Sequence, residues 1–186
     1  MPDRGKLAVL SIIALAVALA GFAVYWQWLH RGRAAAFWGP EASRLVQGAS
    51  EAELLLLRPV ESSAEKPSRD LLTLEGRTYA VSKMVDLANT PGLIHARHSL
   101  VEDASFDWGG SKTDCRPSWT HAMRFRESSR SLVIAFDFPC RRLSQVSTGR
   151  SALMVPRIAD GFQRVFQRAQ AAQEDGENTE KPDEDA

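Results

Sequence analysis

Two cysteines, one arginine on an apolar helix face and one strand histidine carry most of the reactive chemistry this sequence can offer. Cys115 and Cys140 are the only cysteines among its 186 residues. Cys140 follows one predicted strand and Cys115 precedes another, so pairing of those strands would bring the two thiols close. In an oxidising compartment a disulfide there would close a loop of about 25 residues and add about 3 kcal/mol. The plainer expectation is a pair of buried thiols that behave as small hydrophobes. Cys115, His121 and Cys140 make a poor metal set, because no C-x-x-C or H-E-x-x-H spacing holds them together. No metal or cofactor is expected. His121 reads as a hydrogen-bonded core histidine that shares a strand face with Trp119 and Met123.

Arg97 is odder. It falls within a helical face drawn by Leu93, Ile94, Leu100, Val101 and Ala104, and a guanidinium among apolar neighbours needs a partner. Asp137, the one acid on an otherwise apolar strand, is the expected partner. Arg97, Asp137 and His121 are therefore the candidate binding residues. A structural ion pair, or an arginine snorkelling past its neighbours, is the plain reading; an anion or carboxylate site is the sharper one. His95 and His98 point away from the same face and should be solvated. The acids Glu102, Asp103, Asp107 and Asp114, around Trp108 and Gly109-Gly110, read as a helix end and a turn. No serine sits in a G-x-S-x-G setting, and Gly109-Gly110-Ser111-Lys112 lacks the spacing of a phosphate loop. No catalytic residue is named, and the balance is against an enzyme.

The elements that must position these residues begin with a run from Leu7 to Leu29 in which only Ser11 and Gln27 carry hydrogen-bonding side chains apart from Tyr25, Trp26 and Trp28 at its far end. At about 1.5 Å per residue it reaches about 34 Å, enough for a bilayer core of about 30 Å. The aromatics suit the headgroup zone. A cleaved signal peptide is the competitor: Arg4 and Lys6 precede the run and Ala18-Leu19-Ala20 resembles a cleavage site, but the apolar run continues well past it. Residues 1–30 are therefore expected to be a single transmembrane anchor that meets the lipid bilayer through residues 7–29. Arg4 and Lys6 before the helix nearly balance Arg31 and Arg33 after it, and the short leader tips the expectation to an extracytoplasmic domain.

Residues 31–172 read as one α+β domain: a small mixed, mainly antiparallel sheet with two or three helices packed on one side. A short helix restarts at Gly39-Pro40-Glu41. Glu53–Val60, with four consecutive leucines, reads as a buried strand, and residues 61–70 as a polar loop. Leu71–Leu74 and Arg77–Val85 flank a Glu75-Gly76 hairpin turn. Thr90-Pro91 opens a helix that runs to about Asp103. Trp119–Arg126 alternates as a strand, Leu132–Phe138 is apolar on both faces, and Leu143–Ser147 adds a further strand. Pro156 to about Ala172 closes the domain as a helix with Ile158, Phe162, Val165, Phe166 and Ala169 in one stripe.

Charge is unevenly spread. The formal net charge is zero, yet residues 174–186 hold seven acids against one base, a net −6 that leaves +6 on residues 1–173. Residues 173–186 are expected to be a disordered acidic tail. No basic stripe interleaved with aromatics is present, so nucleic acid is not an expected partner. These features favour a non-catalytic binding or assembly module with a protein partner. The alternatives are an accessory subunit of a larger membrane complex, with Ala14, Ala18 and Gly21 permitting close helix packing, and a hydrolase or anion-binding domain that uses Arg97.

Overall fold

The computed structural model describes residues 4–30, 32–60, 70–110 and 115–179. The chain opens with helix α1 (Arg4–His30). Its stretch Ala8–Trp26 holds no charged residue and is exposed throughout, so its apolar side chains are not covered by the domain that follows. Helices α2 (Gly32–Trp38) and α3 (Pro40–Gly48) come directly after. Gly39 separates them at φ 79, a backbone setting that glycine reaches without a Cβ penalty, and Pro40 then takes the first helical position.

Among the described residues, seven strands form one sheet: β1 (Glu51–Pro59), β2 (Leu71–Leu74), β3 (Arg77–Asp86), β4 (His121–Glu127), β5 (Arg130–Asp137), β6 (Arg142–Gln145) and β7 (Ser151–Leu153). Their order is β2-β3-β1-β4-β5-β6-β7, and every neighbouring pair is antiparallel. The sheet is thus wholly antiparallel, where the sequence reads as mixed and mainly antiparallel, and β7 has no counterpart in the sequence pattern. A three-residue strand is too short to show alternation. The Glu75-Gly76 turn forms as expected, with φ values of 49 and 78, both in the left-handed region that a two-residue hairpin favours.

The four leucines of β1 serve two faces. Leu54 and Leu56 pack with the helices, whereas Leu55 and Leu57 point to the other side, which is why the run shows no polar alternation. The β1–β3 register shifts between Leu56 and Leu57. Ser82 is the extra residue, and its Oγ donates to the Leu56 carbonyl at 3.1 Å.

One face of the sheet carries Phe125, Ile134, Phe136 and Leu143 under α3, α4 (Leu93–Val101) and α5 (Pro156–Thr179). Phe162 and Phe166 of α5 lie 5.0 and 5.3 Å from Phe136, centroid to centroid. The expected α5 stripe is buried or half-buried along its length. The helix continues to Thr179, however, so the tail expected from 173 is helical that far; 180–186 lie outside the described residues.

The other face gathers Leu55, Leu57, Leu74, Tyr79, Trp119, Ala122 and Ala135. Here Arg142 of β6 meets Glu75 of the β2–β3 turn at 3.5 Å. Those strands are not sheet neighbours, so the sheet curls into a half-barrel with this face inside. Arg124 lies on the same side, 2.7 Å from Glu53 and 3.0 Å from Asp70. Burial works against its charge, but these two carboxylates outweigh it and hold the guanidinium above its usual pKa.

The helix expected from Pro91 to Asp103 is shorter. Thr90, Pro91 and Gly92 form a turn, α4 starts at Leu93, and a separate 3-10 turn covers Asp103–Ser105. Its buried residues are Leu93, Ala96 and Leu100; Ile94, expected inside, is 80% exposed. Of the expected loop at 61–70, residues 61–69 lie outside the described residues, as do Ser111, Lys112 and Asp114.

Candidate functional site

The structure does not bring Arg97, His121 and Asp137 together. β5 alternates, so Phe136 faces the helices and Asp137 faces the inside of the half-barrel. Arg97 belongs to a helix on the outer side, and the sheet lies between them. The expected Arg97–Asp137 pair is therefore replaced by two separate arrangements.

Arg97 closes a helix end. Its Nη1 donates to the carbonyl of Ala49 at 2.8 Å, and Ala49 is the residue that terminates α3. A cation suits the free carbonyls of a helix C-terminus. Its Cζ also lies 5.4 Å from the Phe125 ring centroid, within cation–π range. Burial pushes its pKa down, and its Nε is buried with no hydrogen-bond acceptor.

Asp137 is 1% exposed. One carboxylate oxygen accepts the Cys140 backbone N–H at 2.7 Å, and the other accepts that of Ser118. Two backbone donors satisfy the buried charge where a guanidinium was expected. Cys115 and Cys140 are joined in a disulfide with a Cα–Cα distance of 5.7 Å, the crosslink that strand pairing allows, in place of two free thiols. Segment 115–120 is thereby fastened to the β5–β6 turn by a covalent bond and a charged hydrogen bond side by side. The bond also removes both sulfurs from any metal site. Among the described residues, no group of three His, Cys, Asp or Glu is placed to hold a metal ion.

His121 faces α5. Its ring lies 5.6 Å from Phe166 and 5.5 Å from Phe138, and Nδ1 is 2.8 Å from Thr120 Oγ1. Burial lowers its pKa. Trp119, expected beside it, belongs to the inner cluster instead, because 115–120 precedes β4 without extending its alternation. His95 and His98 are exposed, as expected, and His98 Nε2 meets Glu102 at 2.8 Å.

The most built region had no counterpart among the sequence-based candidates. It is the junction between α1 and the domain. Asp103 accepts the backbone N–H groups of Arg33 and Ala34 at 3.2 and 2.6 Å, in the first turn of α2. Arg150 Nη1 donates to the Phe37 carbonyl at 3.0 Å, near that helix's end. Acid at the start and base at the end both suit the helix dipole. Trp38 is 3% exposed and its Nε1 donates to the Leu100 carbonyl. Phe37, Trp38, Phe106 and Trp108 form one aromatic cluster. Seventy residues separate Arg33 from Asp103, so no local pattern signals this contact.

Two neighbouring clefts open on this side. One of about 590 Å³ lies between α3 and α4 and is lined by Ala49, Ile94, His95 and Arg97. The other, of about 780 Å³, reaches from Trp26 of α1 to Trp108. Gln47, His98 and Val101 line both.

Compared with known proteins, the chain matches no family model, no curated protein and no solved structure.

Proposed function

We propose that this chain is a single-pass membrane-anchored protein whose α+β domain serves as a non-catalytic binding or assembly module outside the cytoplasm. One observation carries the reading: an uncovered apolar helix is joined to the domain through α2, which is fastened at both ends. A signal peptide that is cut away needs no such coupling. Cleavage after Ala20 would also leave Phe22, Val24, Tyr25 and Trp26 exposed on a soluble protein, an unfavourable ending for a secreted chain. A bilayer covers them. The disulfide suggests an oxidising compartment and so an extracytoplasmic domain. With Arg97, Asp137 and His121 each engaged in separate structural contacts, the domain is better suited to presenting surfaces than to chemistry.

Alkaline carbonate extraction of native membranes, followed by N-terminal sequencing, tests the anchor. The expected result is a full-length chain in the pellet; a mature soluble form starting near Gly21 would sink it. Crosslinking in those membranes tests the module, which fails if the protein is always recovered alone. A second reading, an anion site at Arg97, is favoured by the unpartnered Nε and by the cleft beside it. In that case Arg97→Ala abolishes binding of a carboxylate ligand while the fold persists. Loss of the fold instead assigns Arg97 wholly to capping α3.

A further inference from the structure

The cleft between α1 and the domain has a composition that a plain tether does not need. Trp26 lies four residues before the end of α1 at His30, about 6 Å along the axis. If α1 spans a bilayer, that wall of the cleft sits at headgroup depth, where indoles are favoured. Trp108 supplies a second indole from the domain side.

The polar groups are specific in kind. Arg33 lines the cleft, and among the described residues no carboxylate is paired with its guanidinium; Asp103 engages only its backbone N–H. Ser43 lines it too, and its Oγ is buried without a hydrogen-bond partner. Glu102 is half of the exposed His98 pair, so its carboxylate remains open to a further donor. The cleft thus offers a cation, an acid and an orphan hydroxyl between aromatic walls. Two carboxylates, Glu102 and Asp103, stand against one guanidinium, Arg33, which disfavours a purely anionic headgroup.

We propose that this cleft holds one zwitterionic phospholipid from the leaflet in which α1 ends, with its phosphate at Arg33 and its ammonium at Glu102 and the indole faces. Arginine matches a phosphate with paired donors, and an ammonium is attracted to both carboxylate and ring. The proposal rests on the anchored reading above. It makes the domain's position on the membrane lipid-dependent.

The test uses the full chain in nanodiscs of equimolar phosphatidylethanolamine and phosphatidylglycerol with matched acyl chains, released and weighed by native mass spectrometry. The wild type is expected to retain one phosphatidylethanolamine in preference to phosphatidylglycerol. Arg33→Ala lowers that retention about tenfold, the effect of losing one charge-assisted hydrogen bond. Glu102→Gln, which keeps the shape and removes the acid, shifts the preference towards phosphatidylglycerol. Equal retention of both lipids by the wild type, or a preference for phosphatidylglycerol, overturns the proposal without recourse to any variant. Carbonate extraction reports separately: a chain that leaves the membrane sinks the anchor, whereas one that stays but shows no headgroup preference sinks only the lipid site.

Discussion

Asp137 and Asp103 perform the same operation in two different surroundings. Each accepts two backbone N–H groups that lack a partner in regular structure, and so fixes the irregular segment 115–120 in one case and the first turn of α2 in the other. Asp137 is buried beside a disulfide, whereas Asp103 is half-buried at the edge of an open cleft. A charge cut off from water depends wholly on its protein donors, while one within reach of water can exchange them. The first arrangement therefore bears on whether the domain folds. The second bears on how the domain is carried by its helix.

The largest effect is expected at the buried carboxylate. Asp137→Ala orphans the N–H groups of Ser118 and Cys140 and should cost about 3–5 kcal/mol, a large share of a typical stability of about 5–15 kcal/mol. Denaturant unfolding of the domain measures it. A loss below about 1 kcal/mol would mean that water replaces the carboxylate, and the contrast with Asp103 would collapse.

Reduction of the disulfide comes next. Cys115→Ser with Cys140→Ser removes a crosslink across 25 residues and should cost about 3 kcal/mol. Because it holds the same segment as Asp137, the triple variant should lose less than the summed effects. Strict additivity would show that the two fastenings act independently.

Asp103→Ala should be milder, about 1–2 kcal/mol, since of the two freed amides only that of the buried Ala34 is cut off from water, while that of the exposed Arg33 can turn to it. The informative readout is local. Hydrogen exchange should quicken at those two amides and along α2 while the β4 and β5 amides keep their protection. Uniform acceleration across the sheet would make Asp103 as central to folding as Asp137 and erase the distinction drawn between them.

This comparison also separates what can be read from the sequence and what cannot. The α5 stripe, the Glu75-Gly76 turn, the Pro40 helix start and the solvated His95 and His98 rest on neighbours within a few positions, and each appears as read. The bounds of α4 and the exposed Ile94 are local misreadings; at the candidate site the failures are long-range. Asp137 and Arg97 look like partners because both are polar residues in apolar settings, yet β5 alternation puts the carboxylate on the inner face, out of reach. The alternation of β4 does not extend to Trp119, because the disulfide and Asp137 set a boundary between them. Asp103 read as an ordinary helix-end acid because its partners lie seventy positions away. The candidate site is legible in its single residues and, among its pairings, only in Cys115 with Cys140, which rests on the pairing of adjacent strands.

His121 extends the comparison to a titrating group. It lies one residue beyond the segment that Asp137 secures, stacked against Phe166, and burial lowers its pKa below the ordinary histidine value. An unfolded chain has no such burial and takes up its proton near pH 6.5. As pH falls through about 6.5, the unfolded state therefore binds the proton first, and stability drops until the folded pKa is passed. Below that point both states are protonated and this contribution to the slope ends. His121→Phe keeps an aromatic ring against Phe138 and Phe166 but cannot titrate, so its melting temperature should fall less steeply from about pH 7 to pH 5 than that of the wild type. Parallel slopes would mean that water reaches the imidazole in the folded domain. The dry surroundings of Asp137 on the inner face of the sheet would then have no counterpart at His121 on the helix face.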